Sequence, residues 1–429
     1  MDEHVKTELY EILDSMKKTL DDLHHGENAE AWHKVRTDRE KITKILDGIL
    51  KCSLDEQIDA AGMPDEEWMQ TIPQIIGQID DPFRKNNVFD AEFQELLEYI
   101  WGHSKQELVT AMIQNLNRKR KIPMFQYISQ SLRQKKMPLM GICFKKLCQS
   151  ERPSWLLRLR LTEFLSASPF WGSFDPKKGD YNTFELRAAV LKRHSYDLLW
   201  LYRRLDDYLS KRTLCAILSN WAYLEMHCLR NVKSIFPDYW EPDIFPDNEG
   251  DVLVDCGAYT GDSIMQYVQM YGHKYHKIYA YEIAQESYAK LCQNMASSGL
   301  HDVISKYKGT GRVRGEMFVD SQDSYSGNHL CQEGSANNRV EIVPLDEDIE
   351  DTITFLKMDI EGAESDTLLG CRNTIREHHP KLAICIYHGY DDIWKIPLLI
   401  NSMYPDYHFY LRYNGEELFP TEFVLLCKE

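Results

Sequence analysis

The chain has 429 residues, 43% of them apolar and 27% charged, with a formal net charge of −17. That length allows two or three domains with their own cores, and the composition excludes disorder as the default state. The acidity argues against nucleic acid as the main partner, because affinity for a phosphate backbone depends on cationic contacts.

The first residues, MDEHVKTELYEIL, carry acids and helical periodicity where a signal peptide needs a basic start and an apolar stretch. The rest of the chain contains no run long and apolar enough to span a membrane. The 11 cysteines are scattered among apolar neighbours, as in GICFKKLC and LAICIY, without a C-x-x-C pair. Such usage fits a reducing compartment and argues against structural zinc, so a cytoplasmic location is expected.

Residues 1–150 read as an all-helical domain. Val5, Leu9, Leu13, Met16 and Leu20 share one stripe of VKTELYEILDSMKKTLDDL. Residues 101–200 hold 18 Lys and Arg against 7 Asp and Glu. This basic segment reads as solvated helix faces, with an anionic part of a substrate as the sharper alternative. Residues 151–245 begin as a linker rich in proline and aromatics and return to helix at LRAAVLKRHSYDLLWLYRRLDDYLSKRTL, which is expected to pack on the C-terminal domain.

Residues 246–429 switch grammar. DVLVDC, KIYAYE, TFLKMD and KLAICIYH are each followed by a helical stretch, and YHFYLRY and EFVLLCK close the chain. Four strand-helix pairs and two final strands imply a mainly parallel sheet finished by a hairpin. In such sheets the ligand sits beyond the carboxyl ends of the strands, where strand order reverses.

The turn after the first of these strands is DCGAYTG. Gly257 and Gly261 allow a tight turn and close approach to a ligand. A dinucleotide fingerprint would want a further glycine where Tyr259 stands, and Asp255 adds negative charge where a pyrophosphate would lie, which makes nucleotide-dependent redox chemistry remote. An acid there suits a cation, and S-adenosylmethionine carries a sulfonium and an ammonium. Glu282 ends the second strand, where a carboxylate can accept from both ribose hydroxyls; the plainer reading is that it caps the helix beginning near Ala284.

DVLVDCGAYTGDS, IYAYE, VEIVPLDEDI, FLKMDIEGAE, LLGCRNTIREHHPKLAICIYH and FPTEFVLLC follow one another in register. With these motifs the chain from about residue 250 onward resembles the FkbM family of S-adenosylmethionine-dependent methyltransferases. The resemblance implies an α/β class I, Rossmann-like fold with a seven-stranded, mostly parallel sheet whose last strand is antiparallel. It implies O-methylation of a hydroxyl on a sugar, glycan or related natural product. It also implies that Asp255, Gly257, Ala258, Tyr259, Gly261 and Asp262 line the methionine end of the cofactor, that Glu282 holds its ribose, and that Gly309 and Thr310 pass its adenine. Family members often carry a tryptophan and an acid near the adenine, and this chain has neither.

An alcohol is barely nucleophilic at neutral pH, so a base is needed. Asp359 and His388 end adjacent strands and are the preferred candidates, one as base and the other orienting the acceptor, with Glu361 beside them. Asp359, Glu361 and Glu364 also suit the positive end of the following helix, and for Glu364 that plainer role is preferred. Magnesium on Asp359 and Glu361 is the less favoured option, and no metal is expected. The polar insert DSQDSYSGNHLCQEGSANN offers Ser324, Ser326 and Asn328 as acceptor contacts, with an ordinary surface loop as the competing reading. The alternative function is an inactive methyltransferase-fold scaffold whose N-terminal helices bind a protein partner or a second copy; the coexistence of Asp255, Glu282 and Asp359 disfavours it.

Overall fold

The computed structural model describes residues 88–117, 154–167, 171–225, 227–320, 329–331, 339–415 and 419–429. The helical domain expected over residues 1–150 therefore lies outside the described residues apart from two helices, Val88–Gly102 and Lys105–Asn117. Ser324, Ser326 and Asn328 lie outside them too. Residues 92–397 and 406–429 form one compact unit. The other unit, residues 1–91 with 398–405, is described only over 88–91 and 398–405, which belong to the helices Val88–Gly102 and Asp392–Met403 and to the turn that follows the second. No helix among the described residues is long and apolar enough to cross a membrane.

The larger unit is built on eleven strands: β1 (Val252–Cys256), β2 (Lys277–Tyr281), β3 (Val303–Lys306), β4 (Gly309–Thr310), β5 (Gly315–Asp320), β6 (His329–Cys331), β7 (Arg339–Val343), β8 (Phe355–Met358), β9 (Lys381–Cys385), β10 (His408–Tyr413) and β11 (Phe423–Lys428). Seven of them form one sheet in the order β10-β11-β9-β8-β1-β2-β3. β1 runs parallel to both β2 and β8, β9 runs parallel to β8, and β11 lies antiparallel between β9 and β10. Every residue of β1 and β8 is buried, as expected for strands covered on both faces, which read as apolar runs without alternation.

The expected last antiparallel strand is β11, and it inserts between its neighbours rather than adding to the edge. A second sheet was not expected. β4, β7, β5 and β6 pair in that order, and Val319, Val340 and Ile342 bury one face of it with Ile283 and Met317 packed alongside. It occupies the stretch that had read as a connection and polar insert, because its strands are short and carry Glu316, Arg339 and Glu341 on the exposed side.

Upstream helices Asn182–Arg193, Ser195–Arg204 and Tyr208–Tyr223 pack within the same unit. Asp207 caps the third, its carboxylate accepting from the Ser210 amide at 2.7 Å. The same carboxylate meets the buried Arg412 of β10 at 2.8 Å, and the Ser210 hydroxyl accepts from the Leu411 amide at 2.8 Å. These bonds fasten the helical segment to the sheet.

Candidate active site

Strand order reverses between β1 and β8: the chain moves outward from β1 through β2 to β3, then returns to the other side of β1. In register, Asp255 sits opposite Ala280 of β2 on one side and Lys357 of β8 on the other. The crevice beyond Cys256 and Met358 is thus the topological switch point.

The turn leaving β1 is over-determined. Gly257 has φ +80° and Gly261 φ +85°. A Cβ at Gly257 would collide with the Asp359 carbonyl oxygen, so only glycine brings the turn this close to β8. The amides of Gly257 and Ala258 both donate to the Tyr281 carbonyl, at 3.0 and 2.9 Å. Tyr259, at φ +47° and 57% exposed, donates its amide to Glu282 at 2.8 Å. The other Glu282 oxygen accepts from the Ala284 amide at 2.7 Å, just ahead of the helix Gln285–Ser298, and the Tyr259 contact ties the turn to the end of β2. Burial raises the Glu282 pKa. Asp262 is exposed in the first turn of the helix Asp262–Tyr271.

Asp255 is wholly buried and already partnered. Its carboxylate lies 2.8 Å from the Lys357 ammonium and 2.5 Å from the Ser263 hydroxyl, which donates to it. Lys357 also donates to the Gly257 carbonyl at 2.8 Å. Burial works against the lysine's charge, but Asp255 and then Asp359 outweigh it and hold its pKa above the ordinary lysine range. Asp255 therefore shapes the turn through this pair. Sequence reasoning missed Lys357, although a lysine inside the buried run FLKM is itself a sign of a buried acidic partner.

Asp359, Glu361, Glu364 and His388 come together where β8 and β9 end. One His388 ring nitrogen lies 3.2 Å from Asp359 and 3.6 Å from Glu361, and the other lies 2.9 Å from Glu364. Burial disfavours the imidazolium, yet Glu364 and Asp359 hold the His388 pKa well above its usual value. Asp359 moves the other way: burial disfavours its charge, and His388, Lys357 and Tyr239 together hold it well below the usual carboxylate range. The Glu364 oxygens accept from the Ile360 and Gly362 amides of the loop before its helix, at 2.9 and 3.0 Å.

Three further side chains that sequence reasoning did not single out reach this cluster, two of them, Tyr387 and Glu422, from within the quoted motifs. Tyr239, at φ +70°, donates its hydroxyl to Asp359 at 2.6 Å. Tyr387 lies 3.4 Å from Asp359 and 3.1 Å from Glu422. Burial, with Asp359 and Asp238 nearby, pushes the Glu422 carboxyl up to about 7.

Gly309 and Thr310 form β4, paired with β7, and Thr310 is buried with its hydroxyl 3.0 Å from that of Thr367. Next to Glu282 lies Ile283, which packs on the apolar face of the second sheet. A separate pocket lined by Phe245, Thr354, Lys381 and Lys428 lies at the opposite edge of the strands and shares no residue with the crevice.

The Methyltransferase FkbM domain family matches residues 255–418. This segment is an FkbM methyltransferase domain. No curated protein matches the chain. Among solved structures it is similar to methyltransferase FkbM from Methylobacillus flagellatus KT, with 24% identity over 60% of this chain and 63% of that one and a TM-score of 0.48. The similarity thus spans less than two thirds of that protein. An rRNA methylase from Streptococcus thermophilus shares 15% identity over 42% of this chain and 88% of its own, with a TM-score of 0.28. Aeropyrum pernix fibrillarin with natively bound S-adenosyl-L-methionine shares 9% identity over 42% and 67%, with a TM-score of 0.27.

Proposed function

We propose that the FkbM domain transfers a methyl group from S-adenosylmethionine to a hydroxyl oxygen of a sugar, glycan or related natural-product acceptor. The observation that carries this reading is the convergence of the Gly257 turn, Glu282 and Asp359 on one switch-point crevice. The residues fit the cofactor: the turn has no Cβ at its closest approach to β8, and the Glu282 carboxylate, with about four lone-pair sites, keeps acceptor capacity for a ribose hydroxyl beyond the Tyr259, Ala284 and Ile283 amides. Ile283 and the second sheet offer an apolar wall beside the ribose position, in place of the tryptophan that is missing there. When bound, S-adenosylmethionine supplies an electrophilic methyl on a positively charged sulfur.

The protein's part is to align the acceptor oxygen and remove its proton. The base is the Asp359 carboxylate, which stands at the strand end beside the crevice, and His388, 3.2 Å away, orients it. Tyr239 and His388 fix that carboxylate from two sides, and a positioned base contributes about 10²–10⁴-fold. Asp359 would take the proton of the acceptor O–H, and the oxygen lone pair would form the new O–C bond as the methyl–sulfur bond of the bound cofactor breaks and S-adenosylhomocysteine leaves with that electron pair.

Titration calorimetry with S-adenosylmethionine tests the reading. Binding is expected, and Glu282→Gln, which keeps an amide acceptor but loses charge, weakens it by about tenfold or more, as for a hydrogen bond to a charged group. A folded protein that gives no heat at millimolar S-adenosylmethionine overturns the proposal.

A further inference from the structure

The charge around His388 is out of balance. The ring is only 3% exposed, and carboxylates of Asp359, Glu361 and Glu364 approach its two nitrogens to between 2.9 and 3.6 Å. Neither nitrogen, though, has an acceptor aligned for a hydrogen bond. Three carboxylates around one imidazole need more positive charge than a single proton supplies, and a buried ring without aligned partners is costly.

One donor atom from each of Asp359, Glu364 and His388 lies within 4.8 Å of the other two. A cation with ligands at about 2.0–2.2 Å draws such donors to about 3–4 Å apart, and since Asp359 faces Nε2 and Glu364 faces Nδ1, the His388 ring must turn to set one nitrogen between the two carboxylates. The surroundings resemble those of a built site. Two backbone amides hold Glu364, Tyr239 holds Asp359, and the Asp359 and Glu361 side chains are partly exposed, at 24% and 31%.

We infer that Asp359, Glu364 and His388 bind a divalent cation of the magnesium–manganese class at the carboxyl ends of β8 and β9, with Glu361 within reach as a further ligand. Two carboxylates and one imidazole leave positions open for water or an acceptor oxygen. The inference rests on the methyl-transfer reading only for its use: the cation would acidify the acceptor hydroxyl, whose proton then leaves more readily to the Asp359 oxygen that does not bind the cation. Cation binding itself needs neither cofactor nor acceptor.

Electron paramagnetic resonance of Mn²⁺ titrated into the full chain provides the test, with S-adenosylmethionine calorimetry on the same samples. One bound Mn²⁺ per chain is expected. Asp359→Asn and His388→Gln should each weaken it by more than about 100-fold, while Tyr239→Phe, which removes only an outer hydrogen bond to Asp359, costs about 10–100-fold. Retained S-adenosylmethionine binding shows that each variant is folded. Unbound Mn²⁺ at millimolar protein, or binding indifferent to Asp359→Asn and His388→Gln, overturns the inference and leaves the methyltransferase reading intact. Mn²⁺ binding with no S-adenosylmethionine binding leaves the cation site standing and removes that reading.

Discussion

At the amino-terminal edge of the parallel strands, Asp251 accepts from Lys381 at 2.8 Å, from the Thr354 hydroxyl at 2.8 Å and from the Tyr267 hydroxyl at 3.0 Å. Lys277 meets Asp351 at 2.5 Å on the same edge. At the carboxyl-terminal edge, Asp238, Asp359, Glu361, Glu364, Asp392 and Glu422 gather around Lys357 and His388. Burial, followed by neighbouring carboxylates, pushes both Glu422 and Asp392 up to about 7. Both edges belong to one sheet made of similar strands, so the fold does not require the crowding. An edge that only had to be stable would look like the first; the second retains unbalanced charge where a ligand is expected, at the switch point.

The sharpest way to break this comparison is to remove a lysine from each edge. Lys357 is 2% exposed and Asp255 wholly buried, so Lys357→Met strands a buried carboxylate and should cost about 3–5 kcal/mol in urea unfolding. Replacing both partners, as Asp255→Asn with Lys357→Met, should recover most of that loss. Lys381 is 20% exposed and leaves Asp251 with Thr354 and Tyr267, so Lys381→Met should cost only about 1–2 kcal/mol. Equal losses at the two edges would mean that the carboxyl-terminal pair is no more than another structural ion pair.

The pH dependence of stability separates the edges next. A carboxyl raised to about 7 keeps its proton in the folded state after the unfolded chain has released it near 4.5, so stability falls as pH rises between these values and levels off above 7. For Glu422 alone the loss is about 3 kcal/mol, and Asp392 adds to it in the same window. Asp359 acts in the opposite sense and at lower pH: its lowered pKa contributes stability that disappears as pH falls below the ordinary carboxylate range. The His388 contribution is present below about 6.5 and is lost only as pH rises through its raised pKa. The slope between 4.5 and 6.5 thus belongs to Glu422, Asp392 and the other carboxyls that burial raises, Glu241 to about 7 among them, and Glu422→Gln should reduce it by about a third at most. An unchanged slope in thermal unfolding would show that these carboxyls are not crowded.

The parts of this edge that could be read from the sequence share one property: they are contiguous. The strand-turn run around Asp255, Gly257 and Gly261, Glu282 at a strand end, and Asp359 and His388 at the ends of two further strands all follow from local pattern and the rule that ligands sit beyond carboxyl ends. Tyr239, Tyr387 and Glu422 reach Asp359 or its neighbours from separate stretches, and only the folded sheet brings them close. Lys357 hid inside an apolar strand. The second sheet escaped because its strands are as short as the two residues Gly309–Thr310 and its buried face is small. The sequence also could not indicate that the Asp255 charge is spent on Lys357 and Ser263. A motif identifies an acid at the right place without revealing what already holds it.

The finest contrast makes the same chemical change at both edges. Tyr267 and Tyr239 each donate a hydroxyl to an aspartate, at 3.0 and 2.6 Å, and each can be replaced by phenylalanine. Distance alone would rank the shorter Tyr239 bond as the greater loss. Access to water reverses the order. The Asp251 side chain is 5% exposed and Tyr267 is fully buried, so no water replaces the lost donor and Tyr267→Phe should cost about 1.5–3 kcal/mol. The Asp359 side chain is 24% exposed, so water can take the vacated lone pair, and Tyr239→Phe should cost about 0.5–1.5 kcal/mol. Chemical denaturation of the two variants decides the order. A larger loss for Tyr239→Phe would mean that water does not reach Asp359, and a carboxylate closed to water is equally closed to an acceptor.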